Sequence, residues 1–290
     1  MDLAALTLVL ASAFLHSGWN LLTKRSRDQG AFLWLAIIAG LVAFAPAALY
    51  FLFTQPPSGS GWIFIAASAV IHVFYFLFLG GALARTDLSV AYPLARGIGP
   101  LFVLIIALIF LGETPSGPGI AGVLLVIAGI YLLNTPRLTL RALTQPFRAL
   151  ISTPGTRYAL LTGLTIGIYS VVDKAGVDRV NPLLYMWLWV LGTALLMAPF
   201  YLRSPDRVTS ILRHEARPVI AAGILLFGAY TLVLTAMTWS IVTYVSAARE
   251  SSILIATLYG ALLLKESVGP ARVLGALVLA LGVAFIAIAG

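Results

Sequence analysis

Two adjacent charged residues interrupt an otherwise apolar stretch of the sequence. Arg249 and Glu250 lie in the run from Val242 to Leu264, which is long enough to cross a bilayer. An ionised side chain at the centre of a membrane helix costs about 2.5 to 3.5 kcal/mol, so it normally faces a partner or a water-filled cavity. Adjacent residues lie about 100° apart around a helix, so we expect these two side chains to meet different partners.

The two charges are open to different chemical roles. Arg96 is the counterpart of Arg249 in the first half of the chain, and Gly97 stands where the second half has Glu250. The two arginines either bind a carboxylate of the substrate or hold backbone carbonyls and neighbouring helices in place. Glu250 has no counterpart, so it is a candidate for lining the path or carrying a proton.

A second group of candidates combines aromatic rings with one titratable ring. His72, Tyr75 and Phe78 share one face of a helix, where they could stack on an aromatic or apolar side chain or simply pack in the core. His72 stands within "AVIHVFY" and needs a polar neighbour or water, which makes it a second candidate proton carrier. The other candidates for a binding site are Tyr92, Tyr169, Lys174, Tyr230 and Tyr244.

The composition indicates that these residues lie in a membrane. Hydrophobic residues make up 61% of the chain and charged residues 10%, whereas soluble domains contain about half apolar and a quarter charged residues. Ten apolar stretches are hydrophobic all round, which favours helices over a β-barrel. We therefore predict an all-α polytopic membrane protein with ten transmembrane helices. They cover about residues 3 to 22, 31 to 53, 62 to 82, 88 to 111, 118 to 133, 158 to 177, 182 to 202, 218 to 238, 242 to 264 and 271 to 289.

An internal repeat organises these helices into two halves. A shift of 153 residues places Trp34 on Trp187, Pro46 on Pro199, Arg96 on Arg249, Glu113 on Glu266 and Gly129 on Gly282. Each copy holds five helices, an odd number, so the second copy enters the membrane from the opposite side. Such inverted repeats are common in secondary transporters and place the substrate site near the midplane. The predicted domains are residues 1 to 134, a basic cytoplasmic linker at 135 to 157, and residues 158 to 290.

The net charge of +8 is distributed unevenly between the loops. Alternate loops hold fourteen Lys and Arg residues, whereas the opposite set, with both termini, holds only Lys174 and Arg179. This positive-inside pattern accounts for the charge without a nucleic-acid partner. It predicts an inner (cell) membrane protein with both termini on the periplasmic side. Lys24 marks a helix end, whereas Lys174 lies on the side that is poor in positive charge.

The fourth predicted helix contains several helix-breaking residues. The sequence "YPLARGIGP", residues 92 to 100, places Pro93, Gly97, Gly99 and Pro100 within one transmembrane segment. We expect this helix to bend or unwind, so that free backbone dipoles beside Arg96 could receive a carboxylate. The alternative is a proline kink that serves packing alone.

The two five-helix copies resemble the EamA family of the drug/metabolite transporter superfamily. The resemblance rests on an Arg early in the fourth helix of each copy and on an acidic residue just past that helix, in "LGET" at 111 to 114 and "LKES" at 264 to 267. It covers essentially the whole chain, and within the family the chain is similar to the YddG-type exporters of aromatic and other neutral amino acids. The resemblance implies a monomeric bacterial inner-membrane exporter with a central cavity and alternating access. Its partners would be a small-molecule substrate and membrane lipid.

Three classes of function make different demands on such a sequence. A purely structural protein would not need charges at membrane depth. A membrane-embedded enzyme is disfavoured, because the sequence has no HExxH, GxSxG, Asp-rich metal motif, cysteine or P-loop, and we expect no metal or cofactor. Glu113 and Glu266 should lie at opposite membrane faces, so they cannot form one acid and base pair.

The secondary transporter remains, and two substrate classes are open for it. Aromatic and other neutral amino acids are favoured, because two intramembrane arginines suit zwitterions or anions. The alternative is efflux of lipophilic cations, with Glu250 as the principal residue. The sequence leaves open whether export is coupled to protons or runs downhill.

Overall fold

A computed structural model describes residues 1 to 83, 85, 88 to 135, 154 to 263 and 269 to 289, with the backbone alone at 83, 88 to 94 and 260 to 263. These ranges form eleven α-helices and contain no strand. The helices are α1 (Leu3–Arg25), α2 (Gln29–Thr54), α3 (Gly59–Leu83), α4 (Leu88–Phe110), α5 (Gly117–Leu133), α6 (Pro154–Val177), α7 (Pro182–Leu202), α8 (Pro205–Trp239), α9 (Val242–Arg249), α10 (Ser251–Leu263) and α11 (Pro270–Ile288).

The all-α multi-pass architecture agrees with the sequence. Seven helices within the described ranges are long and apolar enough to cross a membrane, namely α1, α2, α3, α6, α7, α8 and α11. Two shorter apolar helices cover Ala95–Phe110, within α4, and Gly117–Leu133. The ninth predicted segment is divided between α9 and α10, so the count of ten crossings stays a prediction.

The helix interruption falls in the ninth segment and not in the fourth. α4 runs as one helix from Leu88 to Phe110, so the expected unwinding at its prolines and glycines is wrong, whereas a bend in it stays a prediction. Close packing on α6 explains the small residue at Gly99, because a Cβ there would lie 3.0 Å from a side-chain carbon of Ile166. The α-helical hydrogen-bonding pattern is instead interrupted at Glu250, whose N–H donates to the carbonyl oxygen of Ala247 at 3.1 Å, although its dihedral angles stay helical.

Helix α8 is longer than the predicted span of residues 218 to 238. It begins at Pro205, so it adds residues 205 to 217, which the sequence analysis left outside the predicted helices. Glu215 departs from helical dihedral angles, with φ of −130°. Pro218 lies just beyond, and its ring conflicts with a carbonyl one turn earlier, so a kink is expected there. The exposed charged half before the kink is therefore set at an angle to the apolar half.

The helices of one repeat pack against those of the other. α1 packs along α8 and α3 along α6, which are equivalent pairs when the repeats are exchanged. α5 packs along α11, the two fifth helices, at glycines on both sides. A Cβ on Gly129 would lie 2.5 Å from the backbone nitrogen of Leu279, and one on Gly282 would lie 2.7 Å from the carbonyl oxygen of Gly122. The polar residues described below lie where these crossed pairs meet.

Contacts at the two ends of the bundle agree with the predicted alternation of loops. Met1 N donates to the carbonyl oxygen of Ile286 at 3.0 Å, which places the start of α1 and the end of α11 together. Asp28, between α1 and α2, pairs with Arg207, at the start of α8, at 2.6 Å. These two loops were assigned to one side of the membrane by charge, and they lie at one end. The side of the membrane itself stays a prediction.

Candidate functional site

His72 lies at the centre of an aromatic cluster formed by α3, α6, α7 and α8. Its ring stacks between Trp189, with centroids 3.8 Å apart, and Tyr169, at 4.4 Å. Tyr75 and Tyr230 approach it edge-on at 6.3 and 6.4 Å. The expected polar neighbour is the previous turn of α3, because Nδ1 of His72 lies 2.9 Å from the carbonyl oxygen of Ser68.

A carboxylate that the sequence analysis did not single out lies beside this cluster. Asp173 on α6 has no exposed surface and accepts hydrogen bonds from Ser68 Oγ at 2.6 Å, Tyr185 OH at 2.9 Å and Tyr230 OH at 2.5 Å. Three hydroxyl donors compensate for the loss of hydration of a buried carboxylate. The available signal was a single Asp within an apolar segment, next to Lys174.

Arg249 connects the end of α9 to the aromatic cluster. One of its Nη atoms donates to Tyr169 OH at 3.2 Å, and the guanidinium carbon lies 5.7 Å from the centroid of the Tyr230 ring. The same Tyr230 donates to Asp173, so one ring joins a guanidinium to a carboxylate. Nε of Arg249 is buried and has no hydrogen-bond acceptor among the described residues.

Glu250 points to a different helix from Arg249, as the 100° rotation between neighbours predicts. Its Oε2 accepts from Arg96 Nε at 3.0 Å and lies 3.0 Å from a terminal nitrogen of the same guanidinium. Arg96 also donates to Ser252 Oγ at 3.3 Å and lies 3.5 Å from His16 Nε2. The single intramembrane carboxylate of the ninth segment therefore neutralises the arginine of the other repeat.

Several buried polar atoms around these residues have no partner among the described residues. Buried polar groups in folded proteins are nearly all hydrogen-bonded, so such atoms indicate a place for water or a ligand. They are Ser170 Oγ, Trp189 Nε1, Ser246 Oγ, Arg249 Nε and Ser251 Oγ. In the described part of the chain no group of three His, Asp or Glu side chains is arranged to hold a metal ion. The arrangement suits a small polar molecule with an aromatic or apolar portion.

Three of the predicted site residues lie away from this centre, and a fourth has no described side chain. Phe78 packs near Tyr158, with centroids 6.3 Å apart, and Lys174 pairs with Asp178 at 2.7 Å near the end of α6. Tyr244 OH accepts from the backbone nitrogen of Ser116 at 2.9 Å. The side chain of Tyr92 is outside the described residues. The structure does bring together the other seven, which are His72, Tyr75, Arg96, Tyr169, Tyr230, Arg249 and Glu250.

The end of the bundle near Tyr244 contains a cavity of about 370 Å³. Its walls include Asp2, Ser116, Trp239 and Tyr244. Beside it, Glu113 accepts from the backbone nitrogens of Val242 at 2.6 Å and Thr243 at 3.2 Å, so it caps the start of α9. Its predicted counterpart, Glu266, is outside the described residues.

Comparison with known proteins shows which family and which relatives the chain resembles. The profile of the EamA-like transporter family matches residues 3 to 135 and again 153 to 288. The multidrug resistance protein EbrB of Bacillus subtilis (strain 168) is 40% identical over 70 residues, which is 24% of this chain and 60% of the relative. EbrB of Bacillus atrophaeus is 42% identical over 59 residues, 20% of this chain and 50% of the relative. The chain thus spans between half and 60% of these relatives' length.

A solved crystal structure shares the fold of the whole chain. Its TM-score is 0.74 with 17% sequence identity, and the match covers 99% of this chain and 98% of the other. At this identity the likeness concerns the fold alone.

Proposed function

The chain belongs to the EamA-like transporter family of the drug/metabolite transporter superfamily, and on that premise we propose that it exports aromatic and other neutral amino acids by alternating access. The proposal follows from the family membership, because members of this family are multi-pass membrane proteins with small-molecule substrates. The narrower choice of substrate rests on one observation, the charge balance of the buried centre.

Among the described residues, two positive and two negative side chains lie in the buried centre. Arg96 and Arg249 are 9% and 6% exposed, and Asp173 and Glu250 are 0% and 2% exposed. Their formal charges sum to zero when all four are ionised. A zwitterion leaves that sum unchanged, whereas a lipophilic cation would add an uncompensated charge to a site of low dielectric. A substrate of zero net charge is therefore favoured.

The rings around His72 supply the complementary apolar surface. Trp189 and Tyr169 both stack on His72. Aromatic pairs gain about 0.5 to 1.5 kcal/mol beyond the burial of area, so a substrate ring could replace one of these stacking contacts. In this proposal an arginine binds the substrate carboxylate, the aromatic cluster binds its side chain, and rocking of the repeats moves the site between the two membrane faces.

Counterflow into proteoliposomes tests the proposal. Vesicles loaded with unlabelled phenylalanine should accumulate labelled phenylalanine from outside, and the same holds for threonine. The test is run with and without a pH gradient, with protein-free vesicles as the control. Absence of counterflow for every neutral amino acid tried would rule the proposal out.

A second candidate function is efflux of lipophilic cations. Two observations favour it. Both relatives are named multidrug resistance proteins, and the buried carboxylate of Glu250 could bind a cation. Movement of tetraphenylphosphonium in the same vesicles, with no movement of amino acids, would establish this alternative.

A further inference from the structure

Several buried polar atoms without a hydrogen-bond partner lie at the break between α9 and α10. Among the described residues, the hydroxyls of Ser246 and Ser251 and Nε of Arg249 are buried without a hydrogen-bond partner. The three residues are 2%, 5% and 6% exposed. Leaving a buried donor unpaired is costly, so a segment with three of them is arranged for something that binds there.

Glu250 offers the acceptor that complements these donors. Both close contacts from Arg96 go to one oxygen, Oε2. Arg and carboxylate groups commonly pair through two parallel hydrogen bonds to both oxygens. Here no hydrogen bond from a described residue reaches Oε1, so this oxygen can still accept.

The donors and the acceptor lie on one short stretch of chain. Arg249 is the last residue of α9, Glu250 is the turn, and Ser251 begins α10. The side chains of Arg249 and Glu250 diverge around the helix axis, so a head group that reaches both would lie between them. At the break, an unpaired guanidinium nitrogen, an open carboxylate oxygen and two free hydroxyls come from six consecutive residues, 246 to 251.

We propose that this break is the receptor for the head group of a zwitterionic amino acid, with Arg249 binding the α-carboxylate and Glu250 the α-ammonium. The proposal rests on the proposed function and adds which charged atoms select the substrate. Asp173 is unsuited to the same task, because its two oxygens already accept three hydroxyl hydrogen bonds. Tyr169 and Tyr230, both in contact with Arg249, place the substrate side chain toward the aromatic cluster.

The test compares three ligands that differ only in the head group. Phenylalanine carries both charges, 3-phenylpropionate lacks the ammonium group, and phenethylamine lacks the carboxylate. Each competes with labelled phenylalanine for purified protein in detergent. We expect the protein to prefer phenylalanine over either analogue by at least about tenfold, because a desolvated charge left unpaired lowers affinity strongly.

Two variants should each remove one half of this preference. Glu250→Gln should bind phenylalanine and 3-phenylpropionate about equally, while still disfavouring phenethylamine. Arg249→Gln should bind phenylalanine and phenethylamine about equally. The affinity of this variant is measured directly with labelled phenethylamine. Glu215→Gln and Arg213→Gln make the same exchanges outside the centre and should leave all three affinities unchanged.

The outcomes separate the inference from the proposed function. If the unaltered protein binds tetraphenylphosphonium but no phenylalanine, the proposed function fails and the inference with it. If it prefers phenylalanine but both variants keep that preference, the inference alone is wrong. Loss of all three ligands in both variants, with an unchanged elution profile, also contradicts it. If Glu250→Gln does not fold, Glu250→Asp must keep the preference for phenylalanine, and the Arg249 variant decides the other half.

Discussion

The Asp173 carboxylate holds three helices to a fourth through hydroxyl groups. Ser68 from α3, Tyr185 from α7 and Tyr230 from α8 all donate to it. Hydrogen bonds to a charged group are stronger than those between neutral groups, and a membrane interior offers no water to replace a lost donor. The group therefore connects the first repeat to the second as well as lying beside the candidate site.

Replacing Tyr230 by Phe should measure the strength of that connection. The change removes one donor and leaves the ring, so we expect the free energy of unfolding to fall by about 1 to 2 kcal/mol. The measurement is denaturant-induced unfolding in detergent. Tyr50→Phe is the matched control, because Tyr50 is 63% exposed. Equal stability of both variants would show that the Asp173 hydrogen bonds contribute little.

Asp28, which is less buried than Asp173, should make the stability of the protein depend on pH. A hydrogen bond from Arg207 lowers the pKa of Asp28 below its ordinary value of 3.8. A carboxyl whose pKa is lower in the folded state stabilises the fold above the ordinary pKa, and this contribution is lost as the pH falls through the folded pKa. Because the side chain of Arg207 is 58% exposed and that of Asp28 is 23% exposed, solvent screens the pair, and the effect should be only about 0.2 to 1 kcal/mol.

The variant Asp28→Asn isolates this charge effect. Asn can still cap the start of α2, where the Asp28 side chain accepts from the backbone nitrogen of Ala31. We expect Asp28→Asn to unfold at lower temperature than the unaltered protein at pH 7, and at the same temperature once the pH is below the folded pKa. A difference that persists unchanged at acid pH would point to lost capping instead.

At the scale of elements, glycine allows helices of the two repeats to approach closely. α5 and α11 meet at Gly129 and Gly282, which the internal repeat places at equivalent positions. Close backbone approach at small residues is the usual basis of helix association in membranes, where dispersion replaces the hydrophobic effect. This contact involves backbone atoms on both sides, so it has little room to adjust.

Gly129→Ala should therefore destabilise the protein although alanine favours helices. The added Cβ would lie 2.5 to 2.7 Å from backbone and side-chain atoms of Leu279. We expect a loss of about 1 to 3 kcal/mol, as for other overpacked sites. Gly80→Ala is the control, because nothing lies within 4 Å of the position of its Cβ. That control should gain up to about 1 kcal/mol from helix propensity. The free energy of unfolding of the two variants gives the comparison.

At the scale of the whole molecule, the two EamA repeats do not form independent bodies. α1 of the first repeat packs on α8 of the second, and α3 of the first on α6 of the second. The candidate site takes Arg96 and His72 from one repeat and Arg249, Glu250 and Asp173 from the other. Relative rocking of the repeats would consequently change the site on both sides at once, as alternating access requires.

The orientation of this bundle can be tested because the chain has no cysteine. Two exposed serines suit this test. Ser58 lies between α2 and α3, and Ser210 lies in the exposed half of α8. The charge pattern predicts that they are on opposite sides of the membrane. In intact cells an impermeant thiol reagent should label Ser58→Cys and not Ser210→Cys. Permeabilised cells should show labelling of both. The reverse pattern in intact cells would place both termini in the cytoplasm.

Composition and the internal repeat were enough to predict a membrane protein of α-helices in two copies, and the resemblance of its motifs indicated the family. The membrane environment and the helical class follow from local composition, since a bilayer requires long apolar helices whatever their neighbours are. The sequence also indicated that His72 needs a polar neighbour and that Arg249 and Glu250 diverge, because burial cost and helix geometry are local properties. The tertiary structure decided the partners: which arginine Glu250 pairs with, what surrounds Asp173, and that the chain breaks at Glu250 and not in α4. These depend on distances between residues up to 154 positions apart, which no local pattern encodes.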